Sequence, residues 1–218
     1  MGQGSILTKE QKQILDLAGR NDYIKSTFYF TGGTALSEVY LKHRESVDVD
    51  LFTLEKLDTQ HILAILNDWS ITTGFTITPR VAGHVYMCML KFSNGVELKV
   101  DFAHYPYRHL ENTVLYKGIP TNSLLDIAVN KLLTVNQRVE VKDFVDLYFL
   151  LQKFNFWDLR EGVRIKFNVD LDSYLAAIDF TGVENFTTLP KMLKPLTLEQ
   201  LKTFFVAQAK ELGLKSVE

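Results

Sequence analysis

The chain has 218 residues, 46% of them hydrophobic and 23% charged, which is enough apolar material for one large domain, or for a catalytic domain with a helical extension, without disulfide staples. The formal net charge of −2 excludes a general nucleic-acid binder that relies on an overall basic field, so any nucleic-acid partner must be met by a local patch. The single cysteine, Cys88, excludes an internal disulfide and predicts a buried core residue in a reducing compartment.

No segment approaches the roughly 18 consecutive apolar residues that a membrane span needs. The first residues also lack an apolar run after a basic region, which a secretion signal would show. We therefore expect no membrane partner and a cytoplasmic location.

The first quarter of the chain alternates short helices and strands. Apolar spacing predicts a helix from Thr8 to Ala18, followed by a turn at Asn21-Asp22. An aromatic strand, Phe28 to Phe30, then leads to Gly32-Gly33, and a helix is expected to start where the glycines finish. Val47 to Phe52 alternates as a second strand.

The next segment predicts a helix and then a group of strands. The helix runs from Asp58 to Ser70 with Asp58 or Thr59 as its cap. Strands follow at Phe75 to Pro79, Val85 to Phe92 and Val96 to Ala103. Ser93-Asn94-Gly95 between the last two strands is a strong hairpin signal.

The remaining chain is mainly helical. After a short extended piece near Thr113 to Ile119, one helix is capped by Asn122 or Ser123 and a second runs from about Lys142 to Lys153. Beyond Phe154 the pattern weakens, apart from an amphipathic piece at Leu171 to Ile178 and a helix from Thr197 to Leu212 that Thr197 and Gln200 could cap as a box. We predict a core at 1–120 and a helical region at 121–218 packed on it.

Two short patterns near the N-terminus carry the chemistry. Gly32-Gly33-Thr34 opens a helix whose unpaired N–H groups can cradle a phosphate. A tight strand-to-helix turn is the simpler explanation of a glycine pair taken alone. Asp48 and Asp50, one residue apart on a strand, present two carboxylates on the same face. Solvation of a strand edge would explain that pair alone.

The two patterns are more informative together, because a phosphate cradle followed by paired carboxylates supplies both halves of a site for a metal-bound nucleotide. Mg²⁺ prefers hard oxygen ligands and usually completes its shell with substrate phosphates. In the later strand that contains VELKVDFA, Glu97, Lys99 and Asp101 share one face, which makes Asp101 the third acidic candidate.

At this point the chain resembles a known family. TGGTAL, HRESVDVDLF, VELKVDF, DIAVNKLLTVNQR and VKDFVDLYFL, in this order between Phe28 and Leu151, look like the successive motifs of the AbiEii-type abortive-infection nucleotidyltransferases, a branch of the polymerase-beta-like superfamily. The resemblance implies an α+β fold with a small mixed sheet flanked by helices. The stretch after Gly33 and before Asp48 is slightly longer than the superfamily's commonest spacing.

The resemblance implies the following roles in the metal and triphosphate part of the site. Asp48, Asp50 and Asp101 would be the catalytic metal ligands for Mg²⁺, and Asp101 could instead take the proton from the attacking hydroxyl. Gly32, Gly33 and Thr34 would hold the β- and γ-phosphates.

The later motifs are harder to assign. Lys131 lies within an otherwise apolar helix and is expected to contact phosphate, the alternative being a lysine that extends to solvent at the helix edge. Lys142 and Asp146 are four residues apart, which an ordinary i,i+4 pair explains equally well, whereas Asp143 is expected on a different face.

By resemblance both aspartates occupy motif positions. One of them would orient Lys131 or Lys142 or contact the nucleotide, and Asp146 is favoured over Asp143 as the catalytic residue. Lys142 and Asp143 are candidate nucleotide contacts. Arg44 is a further candidate phosphate contact, with a solvated charge as its alternative.

These assignments predict an enzyme: a Mg²⁺-dependent nucleotidyltransferase that moves a nucleoside monophosphate from an NTP to a hydroxyl of tRNA, another RNA or a protein. The resemblance further implies a toxin with a cognate antitoxin. A non-catalytic nucleotide-binding regulatory module and a structural interaction domain with solvated acidic strand faces are the alternatives.

Overall fold

The computed structural model describes residues 4–215, which form two compact units. Within the described residues, the first unit comprises 4–40, 46–108 and 112–123, and the second comprises 41–45, 109–111 and 124–215. The predicted division at 120/121 stays a prediction. Among the described residues, no helix combines the length and apolar character needed to cross a membrane.

The first unit is built on a seven-stranded mixed sheet. Its strands are β1 (Tyr29–Thr31), β2 (Val49–Thr53), β3 (Thr76–Ala82), β4 (Val85–Lys91), β5 (Glu97–His104), β6 (Val114–Tyr116) and β7 (Ile119–Thr121), in the order β3-β4-β5-β2-β1-β7-β6. β2 pairs parallel with β5 and β1 parallel with β7, while the other neighbours are antiparallel. The mixed sheet predicted from the sequence is confirmed.

Short helices accompany this sheet. They are α1 (Lys9–Ala18), α2 (Asp22–Thr27), α3 (Gly32–Ala35), which continues as a π-helical turn (Leu36–Leu41), and α4 (Thr59–Thr73). Thr8 caps α1, and Asp58 caps α4 by accepting a hydrogen bond from the His61 N–H, as predicted. The predicted turn at Asn21-Asp22 is wrong in part, because the Asn21 side chain accepts from the Ile24 N–H and thereby starts α2.

Alternation along the strands separates two faces of the sheet. On one face, side chains such as Val49, Leu51, Val100 and Phe102 are fully buried. Cys88 lies on this apolar side as well, and burial raises the pKa of its thiol to about 12, as expected of an inert core cysteine. The residues between them point to the opposite face, which carries the acidic side chains.

The second unit is helical. It contains α5 (Leu124–Gln137), α6 (Val141–Leu150), α7 (Phe156–Phe167), α8 (Ser173–Thr181), a 3-10 turn (Gly182–Asn185) and α9 (Leu198–Lys215). Edge-to-face contacts join Phe205 to Phe144 and Phe180, with ring centroids 4.9 and 5.1 Å apart, in its core. Thr197 and Gln200 form the predicted capping box of α9. Helix α7 was not predicted, because it lies beyond Phe154, where the hydrophobic pattern of the sequence weakens.

Candidate active site

The acidic face of the sheet brings the predicted metal ligands together. In the parallel pair β2 and β5, Asp50 lies directly opposite Asp101. Asp48 precedes β2 by one residue, and its side chain is 28% exposed, whereas the side chain of Asp101 is 13% exposed. The shared face follows from the period of two along a strand. Three carboxylates from two neighbouring strands thus lie on one side of the sheet.

A lysine that the sequence analysis did not assign to the site lies between these carboxylates. Lys99 Nζ is 2.8 Å from Asp101 Oδ2 and 3.2 Å from Asp48 Oδ2. Burial lowers the pKa of Lys99, but the hydrogen bond to Asp101 and the charges of Asp101 and Asp48 outweigh it, so its pKa is raised overall. The shared face of Lys99 and Asp101 was a signal in the sequence that could have identified this residue.

The donor set fits a divalent cation of the Mg²⁺ class. Asp101 Oδ1 is buried and has no hydrogen-bond partner, although such an oxygen normally has one. Carboxylate oxygens are the ligands that hard cations prefer. Within residues 4–215, no three His, Cys, Asp or Glu side chains form a ready-made metal cage. The Lys99 ammonium offsets part of the negative charge on this face.

The glycine turn is built against the same carboxylates. Gly32 has φ of +74°, a conformation that favours glycine, and a Cβ added there would overlap the Asp50 carboxylate. Thr34 is fully buried, and its hydroxyl donates a hydrogen bond to the backbone carbonyl of Asp48. The turn and the acidic strand are therefore fastened together. The helix begins at Gly32 itself, not after the glycines as predicted.

Asn122, which directly follows β7, ties the turn to this neighbouring strand. The Thr31 hydroxyl donates to Asn122 Oδ1 at 2.7 Å, and the Tyr40 hydroxyl donates to the Asn122 carbonyl, also at 2.7 Å. Asn122 is fully buried and donates its backbone N–H to the carbonyl of Phe30. Both ends of the helical segment that follows β1 are consequently fixed.

The later motif residues form a second cluster, inside the helical unit. Lys131 Nζ lies 2.7 Å from Asp143 Oδ1 and 2.6 Å from Asp146 Oδ2. Both aspartate side chains are fully buried, and that of Lys131 is 11% exposed. Lys131 therefore does not extend to solvent, so that alternative is wrong. Asp143 and Asp146 contact the same ammonium, because residues three apart share a helix face, and the expected different face for Asp143 is also wrong.

Asp146 has further partners from the segment 41–45. Arg44 Nε lies 2.6 Å from Oδ1 and Arg44 Nη2 2.8 Å from Oδ2, while His43 Nε2 lies 2.7 Å from Oδ1. The Glu45 N–H donates to the Lys191 carbonyl at 2.9 Å, which holds this segment in the helical unit. Arg44 is buried, so the solvated alternative is wrong for it.

Burial and charge oppose each other in this cluster. Burial raises the pKa of Asp146, but the charges of Lys131 and Arg44 outweigh it and hold that pKa well below its usual range. For Lys131, burial lowers the pKa, and the two carboxylates raise it overall. For His43, burial dominates over the bond to Asp146 and lowers the pKa.

Lys142 stands apart from this cluster. Its ammonium lies 3.1 Å from Glu140 Oε2, and its side chain is 44% exposed. The i,i+4 pair with Asp146 is thus not formed, because Asp146 is taken up by buried partners. The predicted site residues accordingly fall into a group in the sheet unit, a group in the helical unit, and Lys142 on its own.

Most of the chain, and not the site alone, matches a described protein family. A model of the family described as "Nucleotidyl transferase AbiEii toxin, Type IV TA system" matches residues 17–213. The chain belongs to this family. It is therefore a nucleotidyltransferase, and the predicted family and enzyme class are confirmed.

Individual proteins and solved structures are also similar to this AbiEii-family protein. It is 34% identical over 160 residues to an uncharacterized protein of Aquifex aeolicus, covering 71% of each chain. Among solved structures it is similar to JHP933 from Helicobacter pylori, with a TM-score of 0.59 and 19% identity over 97% of this chain and 95% of that one. MenT4, a nucleotidyltransferase toxin from Mycobacterium tuberculosis, gives a TM-score of 0.54 and 14% identity over 96% and 82% of the two chains. The polymerase-beta-like α+β fold is confirmed.

Proposed function

We propose that this protein transfers a nucleoside monophosphate from an NTP to a hydroxyl acceptor in a Mg²⁺-dependent reaction that releases pyrophosphate. The observation that carries the proposal is the meeting of Asp48, Asp50 and Asp101 on one sheet face beside the Gly32 turn. The buried Asp101 Oδ1 has no hydrogen-bond partner there, which favours a cation-binding site over a structural interaction domain.

Each residue of the candidate site has its own role in the proposed reaction. Asp48, Asp50 and Asp101 would hold the divalent cation, which bridges the phosphates and neutralises charge that builds up at the α-phosphorus. The backbone N–H groups at Gly32 and Gly33 would hold the distal phosphates, since they start a helical segment. Thr34 would act by fixing the turn to Asp48, because its hydroxyl is already bonded to that carbonyl.

Asp101 is the candidate for handling the proton of the attacking hydroxyl. Its Oδ1 is buried without a partner, so a lone pair is available there for the proton of the hydroxyl or for a cation. Both roles proposed from the sequence remain compatible with that oxygen. The predicted nucleotide contacts of Lys131, Arg44, Lys142, Asp143 and Asp146 remain predictions.

The family description supports a biological setting for the reaction. We propose that the protein acts as the toxin of an abortive-infection or toxin–antitoxin pair, with tRNA, another RNA or a protein side chain as acceptor. The similarity to MenT4, which is itself called a nucleotidyltransferase toxin, agrees with that setting.

The proposal is tested by incubating the purified protein with each labelled NTP, Mg²⁺ and total tRNA, and separately with a cell lysate that supplies protein acceptors. We expect labelled product with the wild type and none with Asp48→Ala. Undiminished transfer by Asp48→Ala would contradict the metal-ligand assignment. Calorimetric binding of NTP without product across all acceptors would favour the non-catalytic nucleotide-binding module instead.

A further inference from the structure

Two carboxylates of the acidic face, those of Asp48 and Asp101, lie beside the same ammonium. Together they contribute two negative charges when ionised, and Lys99 contributes one positive charge. Like charges at such short range repel each other, and partial burial strengthens the repulsion. The face therefore needs a positive charge even before any metal ion or nucleotide arrives.

Lys99 is placed to supply that charge. Its ammonium bridges carboxylates from two strands, at 2.8 Å from Asp101 Oδ2 and 3.2 Å from Asp48 Oδ2, and its side chain is only 32% exposed. The bridge follows from strand register: Lys99 shares a face with Asp101 on β5, and the parallel pairing of β5 with β2 brings it beside Asp48. A lysine extending into solvent would make neither contact.

A divalent cation would bind the same two carboxylates. It would share them with the ammonium, which now contacts Oδ2 of each. Asp101 Oδ1, in contrast, has no hydrogen-bond partner. The ammonium and the metal ion are consequently competitors for one pair of carboxylates.

We propose that Lys99 is a built-in counter-cation of the acidic triad, which holds Asp48 and Asp101 together in the metal-free protein and which a divalent cation must displace. Lys99 thereby lowers the affinity of the triad for divalent cations in the absence of nucleotide. It is a positioning residue, since it acts on the carboxylates and not on the reacting atoms. This inference rests on the proposed function in taking the three aspartates as metal ligands.

The experiment measures metal binding and stability in the nucleotide-free protein, with Mn²⁺ as the probe. Lys99→Met is titrated with Mn²⁺ by calorimetry, and its melting temperature is followed in chelator and in Mn²⁺. We expect about tenfold tighter Mn²⁺ binding, on the scale of one close charge, a lower melting temperature in chelator and a larger rise on adding Mn²⁺.

Two matched variants isolate the charge at this position. Lys99→Arg retains a cation, so it should bind Mn²⁺ within about twofold of the wild type. Lys91→Met makes the same substitution on β4, at a lysine whose side chain is 62% exposed, and should leave Mn²⁺ binding unchanged. In an Asp101→Asn background, Lys99→Met should gain less affinity, because one of the two competed-for carboxylates is gone.

Equal or weaker Mn²⁺ binding by Lys99→Met would overturn the proposal. If Lys99→Met does not fold, Lys99→Gln is tested in the same way; failure of both to fold with or without Mn²⁺ would also overturn it, while folding rescued by Mn²⁺ would support it. No NTP or acceptor enters these measurements, so their outcome is distinguishable from a failure to find nucleotidyl transfer.

Discussion

The two groups of charged side chains in this protein follow opposite electrostatic arrangements. In the helical unit, Asp143 and Asp146 are fully buried, and His43, Arg44 and Lys131 engage both oxygens of Asp146. On the sheet, the carboxylates of Asp48 and Asp101 share the Lys99 ammonium on a partly exposed face, and Asp101 Oδ1 has no hydrogen-bond partner.

This difference separates what the fold needs from what a ligand needs. A buried carboxylate is tolerated only when partners replace the water that it has lost, so the helical cluster must be complete in the free protein. A site that awaits a cation and a triphosphate must leave lone pairs available and like charges close together, which costs stability and is tolerated beside solvent. The contrast predicts that mutations in the two groups have opposite effects on activity and stability.

The largest effect is expected at Asp50, on the sheet. Asp50→Asn removes one ligand charge while keeping the shape of the side chain, so labelled nucleotide transfer should fall by about a thousandfold or more. Relief of the repulsion with Asp101 should offset the loss of bonds that the Asp50 charge makes, so the free energy of unfolding in urea should change by less than about 1 kcal/mol. The exposed Asp68 on α4 offers a control, Asp68→Asn, which should change neither quantity. Retained nucleotide transfer by Asp50→Asn would contradict the role of Asp50 as a metal ligand, and with it the contrast between the two groups.

The next effect is expected at Lys131, in the helical unit. Lys131→Met leaves two buried carboxylates short of a cation and should lower the free energy of unfolding by about 3–5 kcal/mol in urea denaturation. Lys142→Met is the matched control on the neighbouring helix and should change it by less than about 0.5 kcal/mol, since Lys142 is half-exposed. A fully stable but inactive Lys131→Met protein would instead show that Lys131 serves the nucleotide rather than the fold.

A smaller effect tests the contact between the glycine turn and the acidic strand. Gly32 and Gly95 both have positive φ, but a Cβ at Gly32 would meet the Asp50 carboxylate, whereas one at Gly95 would meet open space. Gly95→Ala should cost about 1–2 kcal/mol from backbone conformation alone. Gly32→Ala should cost a further 1–3 kcal/mol or so from overlap, measured by urea denaturation. Equal losses would mean that the turn does not pack on Asp50 in solution.

The smallest effect concerns pH and His43. Burial depresses the pKa of His43 in the folded protein, so below the ordinary histidine pKa of about 6.5 the unfolded chain takes up a proton that the folded protein resists. The stability contribution of neutral His43 is thus full above that pH and is lost as the pH falls through the lower folded pKa. Among the groups facing it are Asp146, Arg44 and Lys131.

His43→Gln should therefore show a shallower fall in melting temperature than the wild type between about pH 7.5 and 5.5. The exposed His84 provides the control, and His84→Gln should follow the wild-type curve. A curve for His43→Gln that parallels the wild type would mean that other groups carry the acid sensitivity.

The sequence was sufficient where a local pattern determines local structure. The caps of α1 and α4, the capping box of α9 and the hairpin at Ser93-Asn94-Gly95 follow from a few neighbouring residues. Helix α7 was missed because its buried stripe includes Gly162 and Lys166, which look unlike core residues. Gly162 lies against Val129, and Lys166 lies 2.5 Å from the buried Asp126, so partners distant in the chain make both acceptable.

The sequence by itself determined the mixed α+β fold, the family, the two carboxylates on one strand face and the third acidic candidate, because alternation along a strand and the order of motifs are properties of the chain alone. Only the tertiary structure decided which charged side chains contact each other. Parallel pairing of β2 with β5 placed Lys99 between Asp48 and Asp101, and the segment 41–45 brought His43 and Arg44 to Asp146. Pairings of this kind depend on strand register and on helix contacts between residues up to 103 positions apart, which local spacing does not encode.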